Sequence, residues 1–382
     1  MINLAAKDIS HSLSKFIITA LGVGMLLGIV LIMIGVYRGM ISDATTLIDD
    51  IGADIWVVQE DTLGPFAEPS RLHEDFKNTL RSVNGISQTS AVTFQNLQLP
   101  HPDGRTTRVF ALGYDPLGKM IPLNQKRIIE GRGLLHDHYE IVVSKKTGFI
   151  LNEKIPLGRD LYTVVGITEK TVSSGGDLLV YLSLKDAQKL QFLYSNARIR
   201  TDRARGFRGT DATMVNAIVA TVKTGHTPEE VAANIRRWKH KGIFTNEGQK
   251  EILTGNLIKM ASKQIGMFTA ILLLVSVVII AMIIYNMTVE KIKEIAVMKL
   301  IGIPNGLIIK MIVQETLLLG VLSFLSGVGF SHLIYTKFPK NVVLQPEDAV
   351  KLFAVILVAS LLASLFGAKK AIDADPTSAI GG

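Results

Sequence analysis

Residues 288–315 read TVEKIKEIAVMKLIGIPNGLIIKMIVQE, and uncharged apolar runs stand on either side of them. The charges in the stretch are Glu290, Lys291, Lys293, Glu294, Lys299, Lys310 and Glu315. Ile292, Ile295 and Ala296 recur at helical spacing, with Lys299 one turn later. Gly302-Ile303-Pro304-Asn305-Gly306 then stops one helix and starts another, because proline is accepted in a helix's first turn and not in its interior. The pattern predicts a short amphipathic helix at a membrane face between two spans, a break, and a helix that re-enters the membrane. Such a helix can take a push from a soluble partner and pass it to both spans. A charged loop that only anchors the spans at the lipid headgroups satisfies the same pattern.

Working outward, the chain carries four uncharged runs: 16–37, 264–289, 316–336 and 352–368. About 20 apolar residues cross a bilayer as helix. The first run lies between Lys15 and Arg38, is long for a signal-peptide core and reads as an uncleaved anchor. Gly24 and Gly28 within it form a small-xxx-small pair, a pattern that suits a close helix contact. The last run is short and is expected to begin near Ala349, with Lys351 reaching back to the interface. Ahead of the first run, Ile2, Ala5, Ile9, Leu13 and Phe16 share one helical face, which reads as an interfacial helix or as a frayed end.

Composition sets the class independently. Of 382 residues, 48% are hydrophobic, and mean hydropathy is +0.34. The formal charge is +8. The lysines flank apolar runs, which suits anionic headgroups rather than nucleic acid. Cysteine is absent, which excludes disulfides, thiolate catalysis and thiolate metal sites. Four spans put both termini on one side with Lys7, Lys15, Lys291, Lys293, Lys299, Lys310, Lys369 and Lys370. On the other side Lys337 and Lys340 cancel Glu347 and Asp348. The positive-inside rule then makes both termini cytoplasmic and places the segment between spans one and two outside.

That segment, 38–263, mixes strand and helix patterns and predicts an α+β domain. Strands are expected at 52–59, 89–99, 106–114, 139–143, 162–167, 178–182 and 214–222, with a turn at His101-Pro102-Asp103-Gly104. Helices are expected at 72–83, at 184–193 with Ser183 as cap and Asp186 in the capping-box position, and from Thr227 to about His240. Thr227 caps that last helix, Pro228 is its first residue and Glu230 its capping-box glutamate. Residues 201–210 read as a basic loop. The parts 53–94 and 213–247 form one helix-and-sheet pattern, 105–205 is richer in strands, and 247–263 reads as a helical stalk into the second span. The domain plan is therefore 1–37, 38–263 and 264–382, the last holding spans two to four, a cytoplasmic coupling helix at 290–303 and a tail.

Motifs for chemistry are missing. The chain has no G-x-x-x-x-G-K-[ST], H-E-x-x-H or G-x-S-x-G. No phosphate cradle for a nucleotide is therefore present, and no catalytic residues or cofactors are expected. On a strand, His136, His138 and Glu140 would share one face as metal ligands. A solvated turn is the other reading, and the favoured one. Near membrane depth, Glu315 is expected at the interface with Lys310 close by. His332 is expected at the outer end of the third span.

Residues 294–303, EIAVMKLIGI, resemble the "R-E-I-G, four residues, G-A" signature of FtsX-like, MacB-type permeases of ABC transporters. Lys293 stands where that signature has Arg, Ala296 where it has Gly and Ile303 where it often has Ala. The tail at 371–380, AIDADPTSAI, resembles the family's terminal "D-P, two residues, A-L/I" motif through Asp375, Pro376 and Ala379. The resemblance implies four transmembrane helices with the α+β domain inserted between the first two, in a bacterial inner membrane. It implies a separate ATP-binding subunit docking on Lys293, Glu294, Ile295, Val297, Met298 and Lys299. It also implies a coupling joint at Gly302, Pro304, Gly306 and Glu315, with Glu315 in contact with the coupling region. A second permease copy, membrane lipids and, further out, a periplasmic adaptor and outer-membrane channel are the implied partners. The implied function is export or extraction of an apolar or amphiphilic substrate, in a layout similar to permeases of glycolipid export and haem efflux. A non-transporting regulator of an extracytoplasmic hydrolase and a lipoprotein-extraction subunit share the same topology.

Overall fold

The computed structural model describes residues 13–193, 213–338 and 340–372. The basic loop at 201–210, most of the amino-terminal lead and the tail residues Asp375, Pro376 and Ala379 lie outside them. The chain divides into two units, Met1–Gly39 with Ala261–Gly382 and Met40–Met260.

The first unit is helical. Its described helices long and apolar enough to cross a membrane lie at Leu13–Ile51, Ala261–Glu290, Asn305–Lys337 and Pro346–Lys369. In hydrogen-bonded terms these are α1 (Leu13–Ile51), α6 (Lys259–Glu290), α8 (Asn305–Ile334) and α9 (Pro346–Ile372). Arg38 ends the uncharged run but not the helix, since α1 continues into the second unit. A charge marks where lipid ends, and the helical hydrogen bonds carry on beyond it.

Packing in this unit depends on small residues. A Cβ on Gly24 would lie 2.7 Å from the Ser323 carbonyl, and one on Gly28 would lie 2.9 Å from the Gly327 carbonyl. Ser326 Oγ donates to the Ala20 carbonyl at 3.1 Å. The predicted small-xxx-small contact is thus made within the chain, between α1 and α8, where the missing side chains let the backbones approach. Around it, Phe16, Val23, Leu27, Leu319 and Ile356 form a buried apolar cluster. Further along α1, Arg38 holds both oxygens of Asp348, with Nη2–Oδ1 at 2.8 Å and a second contact from Nε to Oδ2. The Val343 N–H donates to the Gly35 carbonyl at 3.0 Å, which straps the α8–α9 loop onto α1.

The second unit is α+β. Its helices are α2 (Phe76–Arg81), α3 (Leu184–Leu193), α4 (Pro228–Lys239) and α5 (Asn246–Ile252). The strands are β1 (Ile55–Val58), β2 (Leu72–His73), β3 (Ile86–Pro100), β4 (Thr106–Tyr114), β5 (Ile128–Gly131), β6 (Glu140–Ser144), β7 (Lys154–Leu157), β8 (Asp160–Thr168), β9 (Leu178–Ser183), β10 (Met214–Val215), β11 (Ala217–Val222) and β12 (Gly242–Thr245). One sheet runs in the order β12-β1-β11-β3-β4-β9-β6-β8-β5, with β7 on β8. The pairs β4–β9 and β6–β8 are parallel, and the other neighbours are antiparallel. The long hairpin β3–β4 carries this sheet from the 53–94 and 213–247 parts into the 105–205 part.

The buried side chains follow the same layout. Ile55 and Val57 of β1 face a cluster with Leu80, Ile218 and Ile235. Trp56 and Val58, alternate on the strand, face a second cluster that also holds Leu47, Ile48 and Ile51 from the end of α1 and Leu253. A third cluster, with Leu99, Ile141, Tyr162 and Leu190, lies in the strand-rich part. Asp50 of α1 accepts from Asn124 Nδ2 at 2.9 Å and from Arg127 Nε at 3.1 Å. Lys250 of α5 reaches Asp49 at 2.8 Å. The two segments that lead to membrane helices are therefore rooted in one core.

Several elements depart from expectation. The segment 72–83 is not one helix. Leu72 and His73 pair with Val215 and Met214, and helix begins only at Phe76. Local periodicity lost there to a tertiary partner. The expected strand 214–222 breaks at Asn216, whose side-chain Oδ1 accepts from Phe94 N at 2.8 Å. Strands β5, β7 and β12, four residues each, lie outside every expected element. The capping box of α4 is complete, with Thr227 and Glu230 exchanging bonds as predicted. Ser183 Oγ accepts from Asp186 N at 3.2 Å, but the Asp186 carboxylate turns to His138 instead of back to Ser183. The stalk is helical, with a π turn at Leu253–Ile258 between α5 and α6.

Candidate coupling site

The charged stretch folds as α7 (Ile292–Leu300), followed by a turn and then α8. The turn is a Schellman motif. Gly302 N donates to the Lys299 carbonyl at 3.0 Å and Ile303 N to the Met298 carbonyl at 3.0 Å. Gly302 sits at φ +90, where a Cβ is strained. Met298 and Ile303 pack together on a cluster of Ile295, Ile308, Ile312 and Ala371, which is the apolar contact this motif favours. Pro304 stands one residue earlier than expected, at the N-cap of α8 (φ −69, ψ 143), and its carbonyl accepts from Leu307 N at 2.9 Å. Gly306 lies in the first turn of α8 with open space beside it.

The two faces of α7 differ. Ile295 and Ala296 are fully buried against the chain's own helices. Lys299 Nζ donates to the Ile372 carbonyl at 2.7 Å, near the end of α9. Lys293, Glu294, Val297, Leu300 and Ile301 are exposed, and their spacing puts them on the opposite side. Val297 is 45% exposed, Leu300 52% and Ile301 76%. The site residues therefore divide. Lys293, Glu294 and Val297 present outward, while Ile295, Met298 and Lys299 hold the helix in place. Leu300 and Ile301 extend the outward face, and periodicity alone could have found them.

Glu315 is buried, and its counter-ion is Lys291, with Nζ at 3.2 and 3.3 Å from the two carboxylate oxygens. Both side chains are nearly closed off, at 14% and 9% exposed. The expected neighbour Lys310 is exposed on α8. Lys310 is five residues from Glu315, and a helix turns about 140° from the nearest aligned position over that step. Lys291 precedes α7, so this pair ties the start of α7 to α8 while the Schellman turn ties its end. At the surface, Lys15 of α1 lies 3.4 Å from Glu290 at the end of α6.

Residues 136–138 lie in a turn ahead of β6, so the histidines do not share a strand face with Glu140. His136 pairs with Glu140 at 2.7 Å and His138 with Asp186 at 2.8 Å. Among the described residues no group of three or more metal-ligating side chains converges. Burial pushes the Glu140 carboxyl up. The Arg132 guanidinium, the His136 ring and the amides of Leu135 and His136 outweigh it and hold the group at about 2. This cluster is a structural ion-pair network at the start of β6.

Comparison with known proteins bears on the whole chain. The model of the MacB-like periplasmic core domain matches residues 16–238, and that of the FtsX-like permease C-terminal region matches residues 266–376. An uncharacterized ABC transporter permease of Mycobacterium tuberculosis is 22% identical over 383 residues, covering 100% of both chains. A putative hemin transport system permease protein, HrtB, of Staphylococcus haemolyticus is 21% identical over 390 residues, covering 100% of this chain and 99% of its own. The solved periplasmic region of MacB from Actinobacillus actinomycetemcomitans aligns with 53% of this chain and 94% of its own, at 12% identity and a TM-score of 0.37. The core-domain match alone spans more than half of the sequence, and the chain belongs to the FtsX/MacB-type family of ABC transporter permeases.

Proposed function

We propose that α7 is the docking element for a separate ATP-binding subunit, and that the α7–α8 joint converts the partner's closure into movement of the spans. The family supplies the coarser statement: this is a permease subunit that works with an ABC ATPase. The observation that carries the finer reading is the two-faced α7. Lys293, Glu294, Val297, Leu300 and Ile301 face outward, and the helix behind them is tied to α8 at both ends, by Lys291–Glu315 and by the Schellman turn. An apolar strip edged by both charge signs suits a partner groove, where buried contacts supply affinity and rim charges fix register.

In this reading both termini and the α6–α8 connection are cytoplasmic, by the lysine bias. The substrate is apolar or amphiphilic and is moved by export or extraction at the outer leaflet. The relative described as a hemin transport permease supports an amphiphilic cargo. A second permease copy completes the path, since four spans are few to enclose one. The test is reconstitution with the ATP-binding subunit in liposomes. ATP hydrolysis should require the partner, and Val297→Asp should abolish co-purification. Strong hydrolysis by the permease alone, or unchanged association of Val297→Asp, would overturn the assignment.

A further inference from the structure

Away from the coupling site, the membrane unit encloses a pocket of about 420 Å³ among α1, α8 and α9. Its walls include Leu31 of α1, Val328 of α8 and Phe353 of α9. Phe324 and Phe353, with ring centroids 4.9 Å apart, flank one end. His332, about 12 Å along α8 from Phe324, marks the other. The roof is the strap before α9, with Val343 and Leu344, held by the Val343–Gly35 bond and the Arg38–Asp348 pair.

The geometry points to this pocket as a binding site for one acyl chain of a bilayer phospholipid. Three observations select that occupant. The lining is almost wholly apolar, and its volume lies in the range of ligand sites. Asp348 is the one acidic or basic group in the lining apart from His332, and Arg38 already engages both of its oxygens, so the wall has little to offer an ion. Val350 both lines the pocket and is 66% exposed within a spanning helix, so the mouth opens sideways where lipid lies. His332 Nδ1 donates to the Val328 carbonyl at 2.9 Å, which leaves Nε2 as the ring's acceptor at the polar end. An amphiphile with its chain between Phe324 and Phe353 and its polar part toward His332 fits that order. The chain would pack beneath the strap that joins α1 to the start of α9, so occupancy would brace that strap.

The experiment uses the full chain in lipid nanodiscs doped with a phosphatidylcholine that carries a diazirine in mid-chain. After irradiation, adducts are mapped by mass spectrometry. Adducts should concentrate on Phe324, Val328 and Phe353. Val350→Trp should reduce them at least fivefold, while Leu325→Trp, at an exposed position on α8 outside the lining, should leave them unchanged. Ala349→Leu is a smaller filling that should also reduce them, and it keeps the test decisive if the tryptophan variant inserts poorly. Equal labelling of the pocket and of exposed Met267, Ile271 and Val278 on α6 would overturn the site, as would full labelling in both filled variants. Neither ATP nor a partner enters the readout, so its outcome is independent of the docking role of α7.

Discussion

Gly302→Val tests the joint between α7 and α8 most directly. Gly302 is held at φ +90 by two backbone bonds, and a Cβ there would meet nothing within 4 Å. The substitution therefore brings no clash, and its cost is conformational. Forcing a β-branched residue into that region costs roughly 1–3 kcal/mol. The chain can escape by unwinding the turn, which releases the Gly302–Lys299 and Ile303–Met298 bonds at a net cost of about 1 kcal/mol each. The two routes cost about the same, so the native joint loses roughly 2 kcal/mol against a loosened one, a factor of about 30 in population. The spans should still insert, since their apolar length is untouched. Binding of the ATP-binding subunit should largely persist, because Lys293, Glu294 and Val297 of the docking face lie earlier on α7 and only Leu300 and Ile301 adjoin the turn. Substrate-stimulated ATPase and transport in liposomes should fall. Gly306→Ala is the control: it also has open space, lies in helix, and should be neutral or stabilising by about 0.5 kcal/mol. A Gly302→Val protein with full coupled activity would refute the idea that a rigid angle transmits the motion.

Lys291→Met removes the counter-charge seen for a carboxylate that is only 9% exposed. It should cost about 3–5 kcal/mol, read as a lowered melting temperature in detergent, and Glu315→Gln should restore much of the loss. Glu294→Lys should weaken co-purification with the ATP-binding subunit by about 1–3 kcal/mol, while thermal stability stays unchanged because the side chain is exposed. Glu140, held at about 2 against an ordinary value of 4.5, stabilises the α+β unit when ionised. That contribution is fully present above about pH 4.5, declines as pH falls and is gone below about pH 2. Screening by water around its exposed partners should leave about 2 kcal/mol of it. Denaturation of wild type and Glu140→Gln between pH 2 and 6 should therefore converge at the acid end, and parallel curves would contradict the network.

The spans, the α+β class of the domain between the first two, and the α7–α8 break were legible without coordinates. Each rests on a local property. Apolar length decides whether a helix can live in lipid, and Gly302 followed by Pro304 decides where one helix must end and the next begin. The same holds for the β3–β4 hairpin and the α4 capping box, whose turn and cap residues act within a few positions. What folding alone decided involves partners far apart in the chain. Leu72 left its helical pattern because Val215 offered a strand. Glu315 took Lys291 rather than the nearby Lys310, because helical twist carries Lys310 to another side. Arg38, which ends the first uncharged run, is bound to Asp348, 310 residues away. The division of α7 into a face that holds and a face that is free depends on Ile308, Ile312 and Ala371 arriving behind it. A local pattern specifies which side of a helix is apolar. Only the packed structure specifies which apolar residues are already covered.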